Sequence, residues 1–191
     1  MSPRDAVLRF ALRSRLFLIL LQVIFNAICP DHEADAFRAP EDPQEVYSLL
    51  DKTVSFFLGG LTRWDSEYYL HIAKYGYTYE NTLAFLPLFP MTVRVVGLPL
   101  KHILFFLNSR SVLTIAAVCV NLFCFVKSVL ALYDLSAAIL SQRLARRTAI
   151  LYCLSPASIF FTAAYTEPMF AYLTFYSMLS AVRRSPYVAI P

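Results

Sequence analysis

Glycine is scarce, at four of 191 residues. A backbone cradle for phosphates needs glycine where side chains would block close approach, and neither a GxGxxG nor a P-loop pattern occurs. This speaks against ATP or a soluble nucleotide sugar as substrate. Charge is sparse as well: 16% of residues are charged against 58% hydrophobic, well away from ordinary soluble domains. The composition is that of an integral membrane protein, with room for about four spans of roughly 20 residues and one sizeable loop. The net charge of +4 is small, and Lys and Arg are scattered near span ends, which argues against nucleic-acid binding. None of the four cysteines forms a CxxC or a Cys/His ligand spacing. Cys119, Cys124 and Cys153 fall inside apolar runs and Cys29 ends another, so they read as small hydrophobes, with neither disulfide framework nor metal site expected.

What is present orders itself along the chain. Arg4, Arg9, Arg13 and Arg15 precede the apolar run 16–29, which fixes residues 1–15 in the cytosol and makes 16–29 a first crossing. The run is short enough for a signal peptide, but Pro30 directly after Ala27 to Cys29 argues against cleavage there. Residues 30–82 hold ten of the thirteen acidic residues against four basic ones, as expected of a long non-cytosolic loop. Within it Leu61, Trp64, Tyr68, Ile72 and Tyr75 recur at helical spacing, and the aromatic content suits an interfacial helix. Treating 83–108 as a crossing would put Arg143, Arg146 and Arg147 outside. A non-crossing, interfacial or re-entrant segment restores the positive-inside pattern. Crossings are then expected at 111–132, 148–164 and 169–182, with a cytosolic loop 133–147, a luminal turn 165–168 and a cytosolic tail 183–191.

Four polar positions carry candidate chemistry. Asp65, beside Trp64 near the membrane surface, could act as a general base; its spacing from Thr62 equally matches a helix capping box. Glu167 lies in the short turn Tyr165-Thr166-Glu167-Pro168, where an acid near the bilayer suggests function and Pro168 suggests a helix start. Arg110 would be a cation on the luminal side, suited to a lipid phosphate or simply snorkelling. His71 has no second ligand at metal spacing and reads as a polar surface position. Asp134 and Lys127 read as structural.

Trp64-Asp65-Ser66-Glu67, His71-Ile72-Ala73, Tyr75-Gly76-Tyr77 and Ala84-Phe85-Leu86-Pro87-Leu88-Phe89-Pro90 together closely resemble the first luminal loop of the PIG-V family of GPI mannosyltransferases. Val7-Leu8-Arg9-Phe10, Phe25-Asn26-Ala27-Ile28 and Leu154-Ser155-Pro156-Ala157 with Ala164-Tyr165-Thr166-Glu167 are similar to the same family, so the likeness covers nearly the whole chain. The resemblance implies an all-α, multi-spanning GT-C type enzyme of the endoplasmic reticulum membrane, of which 1–191 is the N-terminal part. It implies α-1,6 transfer of the second mannose from dolichyl-phosphate mannose to the GPI precursor glycolipid, with Asp65 as catalytic base and Glu167 as a second acid. Trp64, Glu67, His71 and Arg110 would contact substrate; no cofactor or metal is implied, and a small membrane subunit is a conceivable partner. Two other classes compete. One is a truncated, non-catalytic subunit that binds glycolipid or protein; the other, a small transporter, is weakened because ionisable residues lie at span ends.

Overall fold

The computed structural model describes residues 2–29, 37, 42–43 and 45–184. The start of the acidic loop and the tail beyond 184 therefore lie largely outside the described residues. Among those described, the chain is all-helical, with no strand. The helices are α1 (Pro3–Ile28), α2 (Leu49–Leu58), α3 (Asp65–Tyr75), α4 (Leu88–Ile103), α5 (Ser109–Ala137), α6 (Gln142–Cys153) and α7 (Glu167–Arg184). Three 3-10 turns lie between them, at Gly59–Leu61, Glu80–Ala84 and Ser158–Phe161.

Local chemistry explains the starts. Ser2 and Asp5 form a reciprocal capping box with Pro3 at the first position of α1, and Ser48 with Asp51 repeats the box on α2. Asn108 caps α5 by accepting from the Ser111 N–H at 2.8 Å.

α5 is the axle. At 29 residues it is about 43 Å long, and it alone among the described helices is both long and apolar enough to cross a membrane by itself. α1 is almost as long, but its first half carries arginines; α7 ends in Arg183 and Arg184. The stretch 148–164 is not one helix. α6 starts earlier, at Gln142, and stops at Cys153, after which the chain turns through Ser158–Phe161. Pro156 cannot continue a helix, and the residue before it is pushed to extended backbone.

Small residues let the others pack closely on α5. Ala116 and Ala117 of α5 meet Leu70 and Ala73 of α3 and Phe89 and Val93 of α4. Lower down, Phe125 and Val129 meet Val7 and Ala11 of α1 and Ala145 and Ala149 of α6. Gly97 of α4 approaches Leu113 so closely that a Cβ there would lie 2.9 Å from its Cδ2.

The bundle has two chemically different ends. At one, Asp134 of α5 pairs with Arg4 at 3.3 Å and Arg183 at 3.8 Å, joining the start of α1 to the ends of α5 and α7. Asp134 is thus structural, as expected. At the other, Asp51 accepts from the Asn108 N–H at 3.0 Å and Glu45 accepts from the Ser109 N–H at 3.2 Å, tying the acidic loop to the start of α5. Lys74 joins Asp42 at 3.0 Å and Glu45 at 2.8 Å, which holds α3 into that same end.

Two sequence expectations change. Arg15, counted with the basic flank, is completely buried. Its guanidinium lies 3.9 Å over the Phe125 ring and donates to the Ser158 carbonyl at 2.8 Å and the Cys153 carbonyl at 3.2 Å, so it secures the break after α6. The buried residues of α3 are Ser66, Leu70, His71, Ile72 and Ala73, so of the expected stripe Leu61 and Ile72 are buried while its aromatic members are not. Trp64 and Tyr75 are exposed, and Tyr68 stacks between Phe37 and Phe85 at 4.5 and 4.3 Å.

Candidate active site

Asp65 and Glu167 are each the first residue of a helix, α3 and α7 respectively. A carboxylate there faces unpaired backbone N–H groups and the positive end of the helix dipole. Asp65 is not part of a capping box, because the Thr62 hydroxyl donates to the Gly59 carbonyl at 3.0 Å and α3 has no side-chain cap. The position before it belongs to Trp64, whose φ of 56° and ψ of −124° make it the one non-glycine residue with positive φ among the described residues. Such backbone costs about 1–3 kcal/mol and persists only where neighbours impose it. Its effect is to turn the chain sharply into α3 with the indole outward and 62% exposed.

The two acids are near enough to feel each other's charge, with Tyr69 and Tyr165 close to both; Asp65 is exposed and Glu167 half-buried. Burial first, and then the negative charge of Asp65, hold the Glu167 carboxyl above its ordinary 4.5, against hydrogen bonds from its own and the Thr166 backbone. Its Oε2 is buried with no hydrogen-bond partner among the described residues. Burial likewise pushes Tyr165 up to about 12, reinforced by the charges of Asp65 and Glu167. Tyr69 is raised by burial, a hydrogen bond with Thr166 opposing and the same two acids adding. A titrating group whose neighbours are a second acid and apolar walls is a functional candidate on physical grounds.

The raised Glu167 has a consequence for stability. Between 4.5 and its higher folded value the folded state binds more protons than the unfolded one, so ionising Glu167 erodes stability as pH rises through that window. Glu167→Gln should therefore gain on the parent as pH rises from about 4.5, and match it more closely below, in melts across pH 4–8.

Beside the start of α3 lies a polar cleft of about 130 Å³, lined by Tyr47, Asp51, Thr62, Arg63, Glu67 and Arg110 among others. Arg110 makes a charge-assisted contact with Glu67. Burial works against the Arg110 charge, but Glu67 wins and the guanidinium is held above its ordinary value. His71 follows Glu67 by one turn of α3 and feels its charge, but lines neither the cleft nor the acid pair's surroundings. It is buried, shares a 2.7 Å hydrogen bond through Nε2 with Thr78 Oγ1, and lies among Phe37, Tyr75 and Tyr79. The expected surface position is overturned because the 76–79 turn folds back over it. Among the described residues no group of three or more His, Cys, Asp or Glu is gathered to hold a metal ion.

The family model for Mannosyltransferase (PIG-V) matches residues 4–189. The chain belongs to that family. GPI mannosyltransferase 2 of Drosophila melanogaster is 42% identical over 176 residues, covering 92% of this chain and 39% of the fly protein. GPI alpha-1,6-mannosyltransferase 2 of Homo sapiens is 41% identical over 176 residues, covering 92% of this chain and 35% of the human one. GPI mannosyltransferase 2 of Schizosaccharomyces pombe is 30% identical over 128 residues, 66% of this chain and 26% of that protein. The chain thus spans about two fifths or less of these relatives. No solved structure matches it.

In this PIG-V family chain the fold brings Asp65, which follows the exposed Trp64, near Glu167, pairs Glu67 with Arg110 in the cleft, and leaves His71 among aromatic rings. Tyr69 and Tyr165 were missed in the sequence because each reads as one more interfacial aromatic. Only the meeting of the segment before α7 with the turn before α3, through Ala164 on Leu61 and Tyr165 on Arg63, brings them beside both acids.

Proposed function

We propose that the chain is the catalytic front portion of an α-1,6-mannosyltransferase. The enzyme moves the second mannose from dolichyl-phosphate mannose to the GPI precursor on the luminal side of the endoplasmic reticulum membrane. The observation that carries the reading is the pairing of Asp65 and Glu167 at two helix starts, beside an outward Trp64, in a chain of the PIG-V family. Asp65 takes the proton from the acceptor hydroxyl as that oxygen attacks the anomeric carbon and dolichyl phosphate leaves, giving inversion. Glu167, half-buried, binds sugar hydroxyls beside it. Trp64 offers an apolar face to a sugar ring, and Arg110 with Glu67 meets the polar headgroup of a lipid-linked substrate. His71 acts by holding α3.

Four crossings in a GT-C type arrangement fit the two ends of the bundle. Arg4, Arg183 and the Arg143–Arg147 cluster belong to one end and the acid pair to the other, as positive-inside bias requires. α4 packs beside the first half of α5, with Gly97 against Leu113, which supports reading 83–108 as a segment that leaves from and returns to the acidic end. Leu16, Phe17, Leu20, Ile24 and Phe25 of α1 are exposed and suit lipid contact.

The test is a chimera in which this chain replaces the matching portion of the fly relative, expressed in cells lacking the second-mannose step. Return of GPI-anchored proteins to the surface is expected with the parent sequence and not with Asp65→Asn. Failure of the parent chimera, or rescue by the amide, contradicts the reading.

A further inference from the structure

Asn121 stands in the middle of the apolar α5, about 18 Å along the helix from Ser109, and is completely buried. An amide in such a place is costly unless its hydrogen bonds are made. Its Nδ2 donates to two carbonyls, those of Ala163 and Tyr165, the latter at 3.0 Å. Its Oδ1 finds no partner among the described residues, so a methyl-bearing residue would fill the position at less cost if packing were all that mattered. Between the two bonded carbonyls lies Ala164, whose N–H donates at 3.0 Å to the Leu61 carbonyl. That carbonyl also accepts from the buried Ser66 hydroxyl at 3.2 Å, one residue after Asp65. A second strap runs parallel, with the Tyr165 hydroxyl donating to the Arg63 carbonyl at 3.0 Å.

We propose that Asn121 is a positioning residue for mannosyl transfer, setting the Glu167-bearing segment against the Asp65-bearing turn through the Ala164–Leu61 bond. This rests on the reading of Asp65 and Glu167 as the reacting pair. From the axle helix the amide grips both sides of Ala164, which leaves that one N–H aimed at the 61–66 turn. Glu167 follows two residues after the second gripped carbonyl, at the start of α7, and Asp65 precedes Ser66. Neither acid touches Asn121, and each inherits its place from the bridge.

The test combines two readouts. In the chimera, Asn121→Asp keeps the shape but loses the double donor, and Asn121→Leu removes both polar atoms. Each should lower kcat at least tenfold while KM for dolichyl-phosphate mannose stays within threefold. Tyr165→Phe, which cuts only the parallel strap, should lower kcat less, and its combination with Asn121→Asp should fall short of the product of the two. Hydrogen exchange on the full chain in lipid nanodiscs should accelerate in 59–66 and 158–167, and stay unchanged in the lower part of α5 and in α6. An unchanged kcat, an unchanged exchange rate at Ala164, or acceleration throughout the bundle would overturn the proposal. Full activity of Asp65→Asn and Glu167→Gln would instead remove the parent reading, whatever Asn121 does.

Discussion

Replacing Asp65 with asparagine is expected to lower mannosyl transfer by about 10²–10⁴-fold, the range a positioned general base supplies. The substitution keeps the size of the side chain and its place as the first residue of α3, so binding should survive better than turnover. The helix start loses its negative charge, a stability loss of about 0.3–1 kcal/mol that is too small to unfold the chain. Initial rates with labelled dolichyl-phosphate mannose in microsomes, with protein level measured alongside, separate the two effects. Residual activity within tenfold of the parent would remove Asp65 from the proton transfer.

Phe125→Ala should have the largest effect on stability, about 3–5 kcal/mol. Phe125 is completely buried where α1, α5 and α6 meet, with Tyr152 and Phe161 at 5.7 and 5.8 Å between centroids and the Arg15 guanidinium above its face. Lipid tails are as apolar as the ring, so transfer from water is not what is lost. The void and the missing aromatic and cation contacts are. For a chain of this size the loss corresponds to roughly 6–20 °C in a thermal melt in detergent. Phe123→Ala, two residues away but 57% exposed, is the control and should cost less than about 1 kcal/mol.

Composition and charge made the helical class and the two unlike ends legible, because both depend on sums over many residues. The acids were legible one at a time, since Asp65 and Glu167 each stand at a break between apolar runs. Their meeting was not: it depends on Asn121 and the Ala164 N–H, a long-range bridge with no spacing rule behind it. Thr62 and Asp65 have the same spacing as Ser2–Asp5 and Ser48–Asp51, yet only the latter two pairs form capping boxes. The left-handed backbone at Trp64 makes the difference, and a pattern of residue types does not encode it. Arg15 misled for a related reason. A cation before an apolar run looks like a flank until the broken end of α6 supplies carbonyls to receive it.

The central claim is that the acid pair lies on the side of the membrane opposite the arginine-rich end, and N-glycosylation mapping tests it most directly. An acceptor introduced between Arg143 and Arg147 should remain unmodified in microsomes, while one introduced in the exposed Tyr77–Glu80 turn beyond α3 should be modified. Modification at the 143–147 position, with none at 77–80, would put Asp65 and Glu167 on the cytosolic face and contradict it.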